Sequence, residues 1–230
     1  MKVTVLGCGP SQGVPVVGNR WGDCDPSNPK NRRTRPSIVV EDNGIRLLVD
    51  MAPDVRDQLL SNEIDRIDAV LFTHLHYDHV AGIGELRTLS HLVQRRLDVF
   101  GIAEVLDGLV ERSAYLFRAE ASDDVQLYKP SADPVPIAYG TPFDVLGIEV
   151  LPFMQDHGIC ESTGFRFGKF AYSTDVALLD GTASDPRASG THARMDRTRR
   201  PEAGGVHAYE FSDRLREYPG DVSGRRRAGL

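Results

Sequence analysis

The sequence predicts one mixed α/β domain followed by a divergent tail. Short strand-like runs alternate with helical segments, an Asn-Gly turn joins two apolar runs, and a cluster of metal-ligand residues directly follows an apolar strand. The chain has 230 residues, of which 40% are hydrophobic and 26% charged, so it can bury a substantial core. We place the domain at residues 1–184 and a tail, which we expect to be poorly ordered, at residues 185–230.

The N-terminal part begins with a strand, a loop and a hairpin. Residues 3–6 alternate in polarity and run into Gly7, and residues 10–36 are rich in Gly, Pro, Asn and Asp, which is typical of a long loop. Apolar runs at 37–41 and 45–50 flank an Asp-Asn-Gly turn, which is a strong hairpin signal. The later elements are expected as a helix over 53–62, a strand over 69–73, helix over most of 79–97, two short strands over 143–153 and a second hairpin over 163–173.

The composition changes after about residue 175. Residues 185–205 are dominated by Arg, Ser, Gly and Pro, and residues 185–230 contain few apolar positions and no convincing strand.

The run His-Leu-His-Tyr-Asp-His at residues 74–79 is the strongest chemical signal in the chain. Alternate side chains of an extended segment share a face, so His74 and His76 are expected to point the same way, whereas Asp78 and His79 belong to the following turn. Imidazole and carboxylate groups are ligands of zinc and similar metals. Since the chain has only seven His, this spacing is hard to attribute to chance, and it indicates two adjacent cations.

Two further residues end strand-like segments and complete this set. His157 follows an apolar strand and precedes a glycine, and Asp175 ends the run Phe-Ala-Tyr-Ser-Thr-Asp. Each alone is more often structural. Beside the ligand run, we expect His157 to join His74 and His76 around one metal. We expect Asp175 to bridge to a second metal, which the last two ligands of the run, Asp78 and His79, would hold.

The ligand run resembles the H-x-H-x-D-H motif of the metallo-β-lactamase superfamily. Residues 7–15 and 31–37 are similar to one branch, which includes phosphoribosyl 1,2-cyclic phosphate phosphodiesterases. The resemblance covers about residues 2–176. It implies an αββα sandwich with a dinuclear site of Zn or Mn at the edge between two sheets, in a hydrolase that acts on a small cyclic phosphodiester.

The resemblance also suggests how hydrolysis would proceed. A water activated by two metals would attack phosphorus, Asp78 would orient it, and a protonated histidine would assist the leaving oxygen. His192, in Gly-Thr-His-Ala, resembles the family's T-H-x-H segment, although Arg194 stands where the second His would be. The arginines of the first loop could bind the substrate phosphate in bidentate fashion, or they form a solvated loop with one arginine paired to an acid; these are Arg32, Arg33 and Arg35.

The C-terminal segment departs from the family pattern. The family's late strand and its T-H-M motif, whose His completes the second metal site, are not found, which implies a short second sheet with an exposed edge. Codons for residues 205–218, read one base later, can encode A-F-T-H-M-N-L-A-I-D-Y-A-S, which resembles the missing motif. We therefore hypothesise that this segment is out of frame. The second metal would then keep Asp78, His79 and Asp175, unless His207 or His192 substitutes.

Composition excludes several classes of function. The net charge of −6 argues against a general nucleic-acid binder, and no apolar stretch approaches the length of a membrane span. Three widely spaced Cys and no signal-peptide pattern fit the cytoplasm; Cys8 and Cys160 are expected to be buried. The glycine spacing after the first strand fails the dinucleotide pattern, so no nucleotide cofactor is expected.

Four interpretations remain open at this point. The first is a phosphodiesterase of small molecules, with a homodimer as the candidate assembly. The second and third are a tRNA 3′-processing nuclease and a thioesterase of the same superfamily. The fourth is a catalytically impaired remnant that binds one metal and turns over nothing.

Overall fold

Two β-sheets pack face to face, and helices cover the outer face of the first sheet. The computed structural model describes residues 1–118, 130–179 and 207–210. Within these residues the architecture is mixed α/β, as the sequence predicts, with helix, sheet and sheet layers in that order. An αββα sandwich would add a second helical layer, and no helix of the described residues lies on the outer face of the second sheet.

Among the described residues, the first sheet has six strands in the order β1-β2-β3-β4-β5-β6. Strands β1 to β3 are antiparallel, and β3 to β6 are parallel. The strands are β1 (Lys2–Gly7), β2 (Ser37–Asp42), β3 (Ile45–Val49), β4 (Ala69–Leu71), β5 (Leu97–Gly101) and β6 (Ala132–Pro136).

The second sheet is antiparallel and contains the central path β11-β8-β9-β10-β12, with β7 also paired to β8. Its strands are β7 (Phe143–Val145), β8 (Ile148–Asp156), β9 (Glu161–Phe167), β10 (Phe170–Ser173), β11 (Leu178–Leu179) and β12 (His207–Glu210).

In the part of the chain that the structure describes, five α-helices connect the strands of the first sheet: α1 (Val55–Ser61), α2 (Tyr77–Val80), α3 (Leu86–Val93), α4 (Ala103–Arg112) and α5 (Ala114–Phe117). Short 3₁₀ turns occur at Pro29–Asn31 and Ile83–Glu85. Among the described residues no helix has both the length and the apolar character to cross a membrane.

Alternation along the strands of the first sheet builds two cores. In β3, Leu47 and Val49 face the second sheet, whereas Leu48 packs with the helices. All three side chains are fully buried. Because both faces of this sheet are covered, its strands read as nearly continuous apolar runs, which is typical of parallel sheets.

Most of the predicted elements are confirmed, with shifted ends. The hairpin between β2 and β3 turns at Asn43 and Gly44, whose φ angles of 49° and 79° are positive. The predicted helix over 53–62 is α1, and the helical prediction over 79–97 runs too far, because Leu97 already begins β5. The sequence patterns assign no element between β5 and β6.

The prediction of no strand in residues 185–230 is wrong. The four residues of β12 pair in antiparallel register with β10, so that Ser173 lies opposite His207 and Phe170 opposite Glu210. This strand covers the edge of β10 that is expected from the sequence to be exposed. Its sequence carries little strand signal, and its formation depends on the partner strand. The boundary at residue 184 and the poor order of the tail stay predictions.

Candidate metal centre

The candidate ligands converge where the two sheets meet. The first sheet contributes the segment after β4, in which His74 and His76 precede the helix α2 that carries Asp78 and His79. The second sheet contributes the turn between β8 and β9 and the end of β10. The N–H of Thr163 donates to the Thr73 carbonyl at 3.0 Å and ties the two sheets together at this point.

Three histidines form the first group of candidate ligands. His74, His76 and His157 each offer a ligand atom, and these atoms all lie within 4.8 Å of one another. The imidazole centroids of His74 and His76 are 4.5 Å apart, and that of His157 lies 5.3 Å from His74 and 5.0 Å from His76. The structure brings together the three residues that the sequence assigned to one metal.

The second group shares a histidine with the first. His74, His79 and Asp175 offer ligand atoms within the same 4.8 Å limit. Asp78, which the sequence places in this set, lies close by, with Oδ2 3.4 Å from His79 Nε2. The geometry thus differs from the sequence-based assignment in two respects, because His74 belongs to both groups and Asp78 is outside the second.

A buried aspartate fixes the orientation of the central histidines. Asp50 is fully buried at the end of β3, and its Oδ2 accepts hydrogen bonds from Thr73 Oγ1 at 2.9 Å and from His79 Nδ1 at 2.7 Å. Its Oδ1 accepts the N–H of Thr73 at 2.8 Å. Since the Thr73 hydroxyl donates its single proton to Asp50, it accepts from His74 Nδ1, 2.9 Å away. Both histidines therefore direct Nε2 toward the ligand cluster.

Charge and burial act against each other in this cluster. Burial, aided by the His79 charge, lowers the pKa of His74 to about 3, so that His74 is neutral. Burial also works to lower the pKa of His79, but the charge of Asp50, the hydrogen bond that His79 donates to it and the close contacts with Asp175 and Asp78 outweigh it and raise that pKa well above its usual range. For Asp78 and Asp175, burial is outweighed by the close contact and charge of His79, and the pKa of each carboxyl is lowered.

These donors fit divalent transition metals. His79 Nε2 is fully buried and lies 2.7 Å from Asp175 Oδ2, yet no hydrogen bond of good geometry satisfies it. His74 Nε2 and His76 Nδ1 are 3.0 Å apart, a separation at which two lone pairs repel unless a proton or cation lies between them. Imidazole and carboxylate donors that converge in this way suit Zn and Mn.

The arginines of the first loop occupy different environments. Arg35 is half-buried, and its Nη1 lies 3.2 Å from Asp54 Oδ1. Arg32 is exposed, and its guanidinium stands 5.4 Å from the centroid of the Trp21 ring. Arg33 is exposed, and its backbone pairs with that of Val14. The pairing of Arg35 with an acid matches the alternative to phosphate binding, and the phosphate role of the other two remains a prediction.

Two predicted residues can be placed only in part or not at all. His192 lies outside the described residues. His207 belongs to β12, where its Cα pairs with that of Ser173, two residues before Asp175.

The prediction that Cys160 is buried is wrong, because this side chain is exposed at the turn after His157, with Sγ 3.9 Å from His76 Nε2. Cys8 is half-buried.

Sequence reasoning misses Asp50 and Thr73. In the sequence, Thr73 reads only as the end of a strand, and Asp50 as the end of a hairpin. A carboxylate directly after a run of apolar strand residues is the available signal, since an unpaired charge is rarely fully buried.

A family model described as the beta-lactamase superfamily domain matches residues 45–199. Among curated proteins, an octanoyltransferase of Porphyromonas gingivalis is 37% identical over 177 residues, which is 76% of this chain and 35% of that protein. A ribonuclease Z of Bradyrhizobium is 31% identical over 148 residues, or 61% of this chain and 46% of that protein. The chain thus matches less than half the length of either relative.

A solved structure, described as a new diphosphatase from the PhnP family, has a similar fold. It is 31% identical to this chain, with a TM-score of 0.62, and the match covers 73% of this chain and 61% of that one.

Proposed function

The chain belongs to the β-lactamase superfamily, and on that premise we propose that it is a metal-dependent phosphodiesterase acting on small phosphodiesters. The superfamily predicted from the ligand run is confirmed, and the fold is that of the metallo-β-lactamase hydrolases. The observation that carries the proposal is the convergence of two groups of candidate ligands, which overlap at His74. Such an arrangement suits two adjacent cations.

Phosphoester chemistry is favoured by the relatives. The similar solved structure is described as a diphosphatase, and a curated relative is a ribonuclease Z. Both names refer to phosphorus esters or anhydrides. The name octanoyltransferase belongs to a protein of which the match covers 35%, so it gives little support to acyl chemistry in this chain.

Two bound cations, Zn or Mn, would supply Lewis acidity toward a phosphoryl oxygen and would lower the pKa of a water. His74, His76 and His157 would hold one of them, and Asp78, His79 and Asp175 would hold the other. The Asp78 carboxylate, whose pKa is lowered, stays ionised and can accept a hydrogen bond from the attacking water. His192 remains our candidate for protonation of the leaving oxygen.

A tRNA 3′-processing-type nuclease is the second candidate function. The identity of 31% to a ribonuclease Z over 61% of this chain supports it. The net charge of −6 counts against it, because binding a polyanion is stabilised by a basic surface. Cleavage of a short dinucleotide and of a tRNA precursor by the same preparation would separate the two functions, since a small-molecule enzyme should act on the first alone.

Metal analysis combined with a substrate panel tests the proposal. The purified chain, incubated with zinc or manganese, should hold two metals and hydrolyse bis-p-nitrophenyl phosphate but no thioester. His76→Ala should lose a metal and hydrolysis together, whereas His91→Ala, on the last turn of α3, should retain both. Unchanged diester hydrolysis by His76→Ala would refute the mechanism.

The impaired-remnant alternative and the frame hypothesis need a second chain. A gene from which one base is removed at codon 205, so that the following codons are read one base later, should yield a protein that holds two metals and is active. If the present chain holds one metal or none and the frame-restored chain holds two, the altered C-terminal segment is the cause of the missing metal. Equal metal content in both would contradict the frame hypothesis.

A further inference from the structure

Two of the most exposed large apolar side chains among the described residues flank the metal centre. Ile159 is 82% exposed and Tyr77 is 67% exposed. Tyr77 stands between His76 and Asp78, and Ile159 follows His157 by two residues. Isolated exposed apolar residues need no explanation, but two of them beside candidate ligands suggest contact with a ligand.

The segments that carry these two residues meet at the site. The N–H of His157 donates to the Cys160 carbonyl at 3.0 Å and closes a tight turn with Ile159 inside it. Cys160 Sγ lies 3.9 Å from His76 Nε2, and the His76 and His157 rings are 5.0 Å apart. The turn is therefore held against the residue that immediately precedes Tyr77.

A second tyrosine, Tyr139, lies near the site on the side of the second sheet. Tyr139 is half-buried, and its hydroxyl accepts a hydrogen bond from Thr163 at 3.5 Å. The N–H of Thr163 in turn bonds to the carbonyl of Thr73, the residue before His74. Residues 74–79 and 156–161 contain no Lys or Arg, so these two segments offer apolar contact to a substrate and no cation of their own.

We propose that Tyr77 and Ile159 form an apolar rim that selects phosphodiesters bearing an aromatic ring, such as a nucleobase or an aryl ester. The proposal rests on the proposed function and deepens it. The phosphodiester would lie at the metal ligands, and the ring would pack on the Tyr77 ring and the Ile159 side chain. A substrate without a ring would leave this rim in water.

Binding of a matched ligand pair tests the rim without turnover. Adenosine 5′-monophosphate and ribose 5-phosphate differ by the base, and titration calorimetry on the zinc-loaded chain should show about tenfold tighter binding of the former, as one stacked base allows. Tyr77→Ser and Ile159→Ser should each reduce that preference to about threefold or less, whereas Tyr77→Phe should keep it.

Leu146→Ser is the matched control. Leu146 is 47% exposed and lies in the turn before β8, whose other end leads to His157. A strand of this length puts it roughly 30 Å from the site. The control should bind both ligands as the unmodified chain does. Zinc content measured on every variant separates damage to the metal centre from loss of the rim. If Tyr77→Ser loses zinc, the binding preference of Ile159→Ser is the test of the rim.

Kinetics give a second readout. The ratio of kcat/KM for bis-p-nitrophenyl phosphate to that for methyl p-nitrophenyl phosphate should fall in Tyr77→Ser through a higher KM for the diaryl ester. If Tyr77→Ser hydrolyses both esters with the same kcat/KM ratio as the unmodified chain, and the unmodified chain does not prefer the nucleotide, the rim is overturned. The proposed function would still stand. If the zinc-loaded chain shows neither binding nor hydrolysis, both the rim and the proposed function are overturned.

Discussion

Replacing Asp50 with Asn should weaken metal binding and stability together, because one buried carboxylate orients the centre. Its oxygens accept three hydrogen bonds: from the Thr73 N–H at 2.8 Å, from the Thr73 hydroxyl at 2.9 Å and from His79 Nδ1 at 2.7 Å. An amide has one oxygen and one NH₂ group. Either orientation of the amide therefore places its NH₂ against at least one of these donors.

The magnitude follows from the number of partners and their burial. Hydrogen bonds to a charged acceptor contribute about 1.5–3 kcal/mol each, and the amide introduced by Asp50→Asn keeps, in its best orientation, two of the three without the charge. Breaking a fully buried ion pair costs about 3–5 kcal/mol, and we expect a loss of unfolding free energy in that range. Losing the residue that orients a ligating histidine typically costs about 10–100-fold in metal affinity.

The assay is a denaturant titration of the metal-free chain, paired with zinc titration against a chromophoric chelator. Asp68→Asn is the matched control, since Asp68 is 7% exposed and accepts the N–H of Arg46 at 2.9 Å, at the start of β4 and away from the ligands. The control should lose stability and keep zinc affinity. Zinc binding by Asp50→Asn that is as tight as in the unmodified chain, or an equal loss of zinc affinity in both variants, would refute the orienting role of Asp50.

Three further results are expected. The thermal midpoint of the metal-free chain should fall as pH rises above about 6.5, because the raised pKa of His79 contributes stability that is complete below its unfolded value and is lost as pH passes through the folded one; a flat midpoint by scanning fluorimetry would contradict this. Gly164→Ala should cost about 1–3 kcal/mol in denaturant titration, because an added Cβ would collide with the Phe153 ring; an unchanged midpoint would show that Phe153 moves freely. Thr73→Val should cost about 1–3 kcal/mol by leaving His74 Nδ1 without its acceptor, and a neutral result would show that His74 finds another partner.

Local signals predict the hairpins and the ligand run well. The turn at Asn43 and Gly44, and the turn at Gly168 with φ of 56°, need backbone conformations that these residue types adopt at low cost, so the sequence marks them directly. The ligands His74, His76 and His157 could be grouped because strand geometry limits where residues after a strand can lie.

Features that depend on distant partners are not predicted. Asp50 is recognised as part of the centre only when Thr73 and His79, 23 and 29 residues along the chain, fold against it. The sharing of His74 by two groups is likewise a result of tertiary packing. The strand β12 has little strand propensity of its own, and it exists by pairing with β10.

The register of β12 bears on the second metal. In the given frame, His207 pairs with Ser173. Read one base later, the histidine of the T-H-M motif would fall at position 208, which pairs with Tyr172. Since successive residues of a strand alternate between the faces of a sheet, this shift by one residue exchanges the face on which the histidine stands. Tyr172 belongs to the core between the two sheets. A change of frame thus keeps a histidine in this strand but moves it to a position on the other face of the sheet. The presence of a histidine in this segment is therefore not by itself evidence for a complete second metal site.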